Sequence, residues 1–340
     1  MPAAPPPSAA IVAIGRNEGE RLKSCLGTLA GQASTIVYVD SGSSDGSAAY
    51  AAAQGCHVVE LSPDRPFTAA RARNAGYAAV LSLVPNVPYI QFLDGDCDLD
   101  PAWLGKGIAA LEARPDVAIV CGRVHEIHPD ASVYNRLCDL EWQTTPGEIR
   151  SSGGRFLIRR QAFVEAGGFR ADVIAAEDDE FCIRVRAAGW KILSLDAEMA
   201  RHDAAITRFS QWWGRARRTG HAYAQVADIH GRGPERYFVR DCRRVWFWAF
   251  WLPLAALMLA PFTYGLSLLA LIALNALQFL RMFQRDQRQR GWSPRHAAIY
   301  AFFTVLTKFP ALIGILSYHL RKRRGSQFTI IEYKGSSLAE

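Results

Sequence analysis

Tyr89-Ile-Gln-Phe-Leu-Asp94-Gly-Asp96-Cys-Asp98-Leu-Asp100 turns a short apolar run directly into a row of carboxylates. Asp94 and Asp96 stand one residue apart, and Gly95 between them lets the backbone bend close. Such a pair can hold a hard divalent cation together with the phosphates it carries. The alternating acids also invite comparison with a calcium loop, but Leu99 and Gly105 stand where that loop needs Gly and Glu. A second acidic run, Glu177-Asp178-Asp179-Glu180, opens a helical pattern carried by Phe181, Val185 and Ala188. Acids are favoured at a helix N-terminus by the dipole, so capping is one reading of the run. The other is a general base toward an acceptor hydroxyl.

The elements that must position these acids read as an open α/β sheet. Tyr89–Leu93 has the length of a central strand, and ligands gather at the carboxyl ends of such strands. Ala10–Ile14 is a first strand that feeds a helix through Gly15-Arg16-Asn17-Glu18. Thr35–Val39 is a second, ending in Asp40-Ser-Gly-Ser-Ser-Asp45-Gly46. Asp40 there suits either a ribose or base contact or a helix N-cap. His57–Leu61 and Val117–Cys121 read as further strands. Thr68–Gly76 starts a small-residue helix carrying Arg71 and Arg73, a residue type suited to stacking on a base or forking onto a phosphate. Gly153-Gly154 and Gly167-Gly168 allow close backbone approach to a ligand, or simply turn the chain.

Charge divides the chain. Residues 1–200 hold 18 Lys and Arg against 25 Asp and Glu, whereas residues 201–340 hold 21 against 7. The amino-terminal domain is thus acidic, which argues against a nucleic-acid partner, since such a binder carries its cations on the folded domain. Seven scattered cysteines form no C-x-x-C pair and suit a reducing compartment. Residues 1–9, rich in Pro and Ala, read as a disordered tail and not a signal peptide.

In order, Gly-Arg-Asn17-Glu18, Val-Asp40-Ser-Gly-Ser-Ser-Asp-Gly46, Ala-Arg73-Asn-Ala-Gly76, Leu-Asp94-Gly-Asp96, Gly153-Gly154, Gly167-Gly168-Phe169 and Glu-Asp178-Asp-Glu-Phe181 resemble the signatures of family 2 glycosyltransferases. The resemblance spans residues 10–200 and rests on the ordered series. It implies a GT-A fold, a Rossmann-like mixed sheet flanked by helices, with a nucleotide-sugar donor and inversion at the anomeric carbon. By position, Asn17, Glu18 and Asp40 would border the nucleoside and Arg73 would approach the base or phosphates. Asp94 and Asp96 would hold ribose and the metal-diphosphate, with Mg2+ or Mn2+ as the cation. Gly153 and Gly154 would line the donor, and His202 would reach the metal or the leaving diphosphate. Asp178 would be the catalytic base. Two departures stand out: Gly15-Arg16 replaces the pair common before Asn-Glu, and Gln211-Trp-Trp-Gly-Arg215 lacks the Gln-x-x-Arg-Trp order of processive synthases. The expectation is single transfer.

Beyond residue 200 the composition changes. Residues 201–244 hold ten arginines interleaved with Trp, Tyr and Phe, the composition of interfacial helices on anionic headgroups. Trp246–Leu280 has no charged residue and is long enough for two spans, with Pro261–Gly265 as the turn. Arginines at both ends place them, and the catalytic domain, on the cytoplasmic side of a cell (inner) membrane that the chain crosses more than once. Ala297–Leu320 contains Lys308 and Pro310 and reads as a bent or re-entrant element, so that 245–320 forms the membrane region and 321–340 a basic tail. The acceptor expected is a lipid-linked or glycolipid group at the membrane surface, with a soluble or polymeric glycan, or a silent nucleotide-binding adaptor, as the alternatives.

Overall fold

The computed structural model describes residues 9–325. The expected tail therefore lies outside the described residues except for Ala9, which opens the first strand, and the basic tail lies outside them from residue 326. The chain divides into two units. Among the described residues, one comprises 9–129 together with 141–204, and the other comprises 130–140 together with 205–325.

The first unit is built on one mixed sheet. Its strands are β1 (Ala9–Gly15), β2 (Ile36–Asp40), β3 (His57–Glu60), β4 (Tyr89–Asp94), β5 (Cys97–Leu99), β6 (Val117–Glu126), β7 (Gly147–Glu148), β8 (Phe156–Arg159) and β9 (Lys191–His202). They lie in the order β3-β2-β1-β4-β8-β6-β9-β5, with β7 on β9. The β1, β2, β3 and β4 neighbours pair in parallel, and β8 enters antiparallel between β4 and β6. In β1, Ala9 to Ile14 are all buried, as expected of a strand covered on both faces.

The chain leaves β1 toward β2 and β3, then returns to pair β4 on the other side. A topological switch point therefore falls between the carboxyl ends of β1 and β4, where open sheets bind ligands. The register sets four strand-end residues level there: Gly15 opposite Asp40, and Ile14 opposite Asp94. The helix Ala69–Leu83 packs on this edge, capped by the Thr68 hydroxyl, which accepts from the Arg71 N–H at 3.1 Å. A side chain at Gly76 would stand 2.2 Å from Val12, so the glycine sets how closely that helix seats on β1.

In the second unit, Val239–Trp246, a π-helical turn Phe247–Trp251 and Leu252–Leu259 run as successive helical segments. Pro253 lacks the N–H that would bond one turn back, which accounts for the widened turn before it. Tyr264 and Gly265, both at positive φ, turn the chain into the helix Leu266–Arg290. Pro294–Leu306 and Lys308–Arg323 meet at Thr307, where Pro310 removes the next helical donor. Two helices, Leu266–Arg290 and Pro294–Arg323, are long and apolar enough to cross a membrane. Gly220 and Gly314 let the helix Phe209–His230 cross Lys308–Arg323 backbone to backbone, since a Cβ at either would stand 2.0 Å from a carbonyl oxygen.

Candidate active site

The two acidic runs meet on one guanidinium. Arg73, in the second turn of Ala69–Leu83, is buried and donates from one terminal nitrogen to Asp94 at 2.8 Å and from the other to Glu177 at 2.7 Å. Burial opposes the charge, but Asp94, Glu177 and Asp178 more than restore it, so the Arg73 pKa ends above its ordinary value. Gly154 makes the room: a Cβ there would stand 2.3 Å from Arg73 Nη2. Gly153 has φ +70°, and a Cβ there would come within van der Waals reach of the Asp178 carboxylate.

Glu177 to Glu180 form the first turn of the helix Glu177–Ala187. Phe181 anchors that turn in the core, 4.5 Å from Phe169 between ring centres, within a group that also holds Phe92, Phe156 and Phe163. Ala176, immediately before it, sits at φ 55°, a left-handed conformation that costs an L residue energy. Asp178 is half-buried. That burial, and then the Asp179 and Glu177 carboxylates, push its pKa up to about 7, with Arg73 pulling the other way. A carboxylate so placed can exchange a proton near neutral pH.

On the far side of Asp94 lies a group the acids alone did not reveal. Arg155 stacks on Trp142 at 5.4 Å and donates to His202 Nδ1 at 2.8 Å, while facing Asp94 Oδ2 at 3.5 Å. His202, at the end of β9, stacks on Trp142 at 4.3 Å and places Nε2 3.1 Å from Asp96 Oδ2. Because a guanidinium only donates, Nδ1 is the acceptor, and the proton of the neutral ring is on Nε2 toward Asp96. Asp96, Cys97 and His202 place ligand atoms within 4.8 Å of one another. Burial holds the Cys97 thiol well above its ordinary pKa, and it donates to Asp96 Oδ1 at 3.5 Å. The ionisable donors that remain are one carboxylate and one imidazole, a set that fits a divalent cation of the Mg2+ or Mn2+ kind better than a thiolate-seeking one. Were Nε2 to hold an ion, the imidazole proton would have to sit on Nδ1, in place of the hydrogen bond from Arg155.

Asn17, Glu18 and Asp40 lie at the adjoining β1 and β2 ends. Asp40 is buried, with one oxygen accepting from the Gly42 and Ser43 N–H groups and the other from the Tyr38 hydroxyl. Asn17, at φ 54°, accepts from the Ser44 N–H at 2.8 Å and donates its own N–H to the Ser43 hydroxyl. Glu18 pairs with Arg21. The two loops are thus laced together. Gly15 has a packing reason as well, since a Cβ there would stand 2.9 Å from the Tyr38 oxygen.

Residues 10–171 match the sequence profile of glycosyl transferase family 2. Those residues form a family 2 glycosyltransferase domain. Residues 144–312 match glycosyl transferase family 21 as well. The glycosyltransferase is 28% identical over 125 residues to glucomannan 4-beta-mannosyltransferase 2 of Arabidopsis thaliana, 34% of this chain and 23% of that protein. It is 26% identical over 135 residues to the probable glucomannan 4-beta-mannosyltransferase 9 of Oryza sativa subsp. japonica, 36% of this chain and 25% of that one. The matches thus take in about a quarter of those relatives. Among solved structures, a mannosyltransferase from Pyrobaculum calidifontis in complex with GDP-Man and Mn2+ superposes with a TM-score of 0.60 at 17% identity, covering 94% of this chain and 90% of that one. That likeness establishes a GT-A-type fold, as the resemblance implied.

Arg155, Cys97 and Trp142 are the site residues that the sequence reading passed over, and Glu177 was read only as one acid of its run. Arg155 directly follows the Gly153-Gly154 pair, and that position was the signal available. Cys97 becomes visible only when β5 and β9 pair, setting it opposite His202, and Trp142 only through its stack on that imidazole.

Proposed function

We propose that the enzyme is an inverting transferase that moves a sugar from a nucleoside-diphosphate donor to a hydroxyl or phosphate of an acceptor at a membrane surface. The observation that carries the reading is Arg73 held between Asp94 and Glu177, because it draws the leaving-group acids and the Asp178 turn to one centre. Asp178 takes the proton of the attacking hydroxyl, and its raised pKa suits that exchange. Asp96 and His202 would hold the divalent cation, which supplies Lewis-acid stabilisation of the departing diphosphate. Arg155 adds a fixed positive charge beside the same place. Asn17, Glu18 and Asp40 shape the loops that border the nucleoside, and Gly153 and Gly154 leave the donor side of Arg73 open.

The membrane part of the reading rests on the two long apolar helices and on exposed apolar side chains, among them Leu257 at 63% and Tyr264 at 98% exposure. Arginines at the outer ends of Val239–Leu259 and Leu266–Arg290 support the reading of a catalytic unit on the cytoplasmic side of the cell membrane. The test is transfer from a panel of radiolabelled nucleotide sugars in native membranes with Mn2+ or Mg2+. GDP-mannose heads the panel because relatives are named as mannosyltransferases. Product extracted into organic solvent supports the lipid-linked acceptor, and product confined to water overturns it. Full transfer by Asp178→Asn overturns the assignment of the base.

A further inference from the structure

We propose that the carboxyl-terminal helical unit binds the phosphate headgroup of an anionic lipid in a cavity of its own, a site separate from the transfer chemistry. The cavity, about 440 Å³, lies between the segment Val239–Leu259 and the helices Leu266–Arg290 and Pro294–Leu306. Arg244, Arg281 and Arg285 stand in its wall and are exposed, while Lys308 reaches in from the helix junction and is half-buried. Leu274, Leu277 and Trp248 supply an apolar side.

The charge is what calls for a ligand. Among the described residues, no carboxylate lines the cavity. Arg285 is met by Asp286 at 2.7 Å. Lys308 has neutral partners, donating to Gln278 Oε1 at 3.1 Å and to the Thr304 carbonyl at 3.3 Å, with its ammonium 5.7 Å from the Trp248 ring centre. No described carboxylate pairs with Arg244, Arg281 or Lys308. Cations converging among helices of this hydropathy are costly unless an anion meets them. A phosphate offers several acceptor oxygens to guanidinium forks and an ammonium at once. The apolar side continues along Leu274 and Leu277 into the uncharged length of the helix, which fits an attached hydrocarbon chain and not a free anion. The inference rests on the reading that these helices lie in a bilayer.

The experiment reconstitutes the full chain into nanodiscs of phosphatidylcholine, alone or with added phosphatidic acid, and measures retained lipid by native mass spectrometry. The wild-type chain is expected to retain phosphatidic acid in preference to phosphatidylcholine. Arg244→Gln with Arg281→Gln, and separately Lys308→Met, should weaken that preference by about five-fold or more for each cation removed. Arg288→Gln, whose charge lies outside the cavity, should leave it unchanged. Inorganic phosphate displacing the lipid at equal concentration would overturn the lipid assignment in favour of a free-anion site. Incorporation into phosphatidylcholine with no preference for phosphatidic acid overturns the cavity proposal alone. Failure to enter either bilayer, with the chain folded in detergent, overturns the membrane reading instead.

Discussion

Arg73 and Glu177, 104 positions apart in sequence, share a buried 2.7 Å hydrogen bond between guanidinium and carboxylate. The opposite terminal nitrogen holds Asp94, so a single side chain fixes the spacing of both acidic runs. A lysine offers a compact ammonium in place of a planar fork and can satisfy one of these carboxylates well but not both. Arg73→Lys should therefore lower kcat/KM by about 100-fold or more. Arg73→Ala should also destabilise the fold by about 3 kcal/mol, because the buried Glu177 carboxylate loses the guanidinium that offsets its charge. Urea unfolding and initial-rate kinetics check the two halves of this expectation.

The proton affinity of Asp178 makes activity and stability run in opposite directions with pH. Its folded pKa, about 7, lies above the ordinary carboxylate value of 3.8, so the folded chain binds this proton more tightly than the unfolded chain. The stabilising contribution is fully present below pH 3.8 and is lost as pH rises through about 7. The base works only when ionised, so kcat/KM should climb tenfold per pH unit on the acid side and level off above about 7. Asp178→Asn removes the repulsion from Asp179 and Glu177 without the titration. It should be inactive yet show a higher Tm than wild type at pH 8, with the difference closing toward pH 4.

Gly153 and Gly154 are adjacent but answer different needs, so equal substitutions should separate them. Ala at 154 would put a methyl group 2.3 Å from Arg73 Nη2, which displaces the guanidinium from its two carboxylates. Transfer should fall about as far as in Arg73→Lys. Ala at 153 meets open space apart from a van der Waals contact with Asp178, but must adopt φ +70°. Its cost is about 1 kcal/mol of stability, with a much smaller loss of rate. Thermal melts and transfer rates on both variants decide whether position matters in this way.

How much of this was legible in the sequence depended on whether a residue acts through its neighbours in the chain. Tyr89–Asp94 could be read because a largely apolar strand and its terminal acid are contiguous, and Asp94 does end β4. The pairing of Asp94 with Glu177 could not, since it runs through Arg73 and depends on Gly154 leaving space. Strand β9 carries His202, yet its burial alternates irregularly because its register with β6 shifts between Arg123 and Val124. A strand with such irregularities lacks the period-two signature that identifies strands from sequence. The break at Thr307 was visible through Pro310, whereas the π-helical turn at Phe247–Trp251 was not read from Pro253.

Ala176 holds the turn before Glu177 at φ 55°, and the only side chain it brings to the strain is a methyl group. Glycine adopts that conformation freely, so Ala176→Gly should leave the fold equally stable or up to about 1 kcal/mol more stable. Ala176→Val should cost about 2 kcal/mol or more, because a β-branched residue fits the left-handed region worst. If the turn also sets where Asp178 points, the glycine variant loses rate despite its stability, through a looser entry to the helix. Chemical denaturation of the pair, followed by kcat, reads both effects.

Cation dependence should follow Asp96 and His202 and pass over Cys97. Asp96→Asn removes the charged oxygen donor and should abolish stimulation by Mn2+ or Mg2+ at any practical concentration. His202→Gln keeps a neutral donor and should raise the Mn2+ concentration for half-maximal rate by about 10- to 100-fold. Cys97 is held as a protonated thiol by burial, so Cys97→Ser, which preserves the donor to Asp96, should leave that concentration within about two-fold of wild type. Arg155→Gln gives the opposite sign from His202→Gln: an amide oxygen accepts the Nδ1 proton that a bound ion requires, so less Mn2+ is needed. The same variant loses the positive charge beside Asp94, and its maximal rate should fall by about tenfold. Metal titrations of initial rate across the four variants test this order, and a Cys97→Ser curve displaced as far as that of His202→Gln would place the thiol among the ligands.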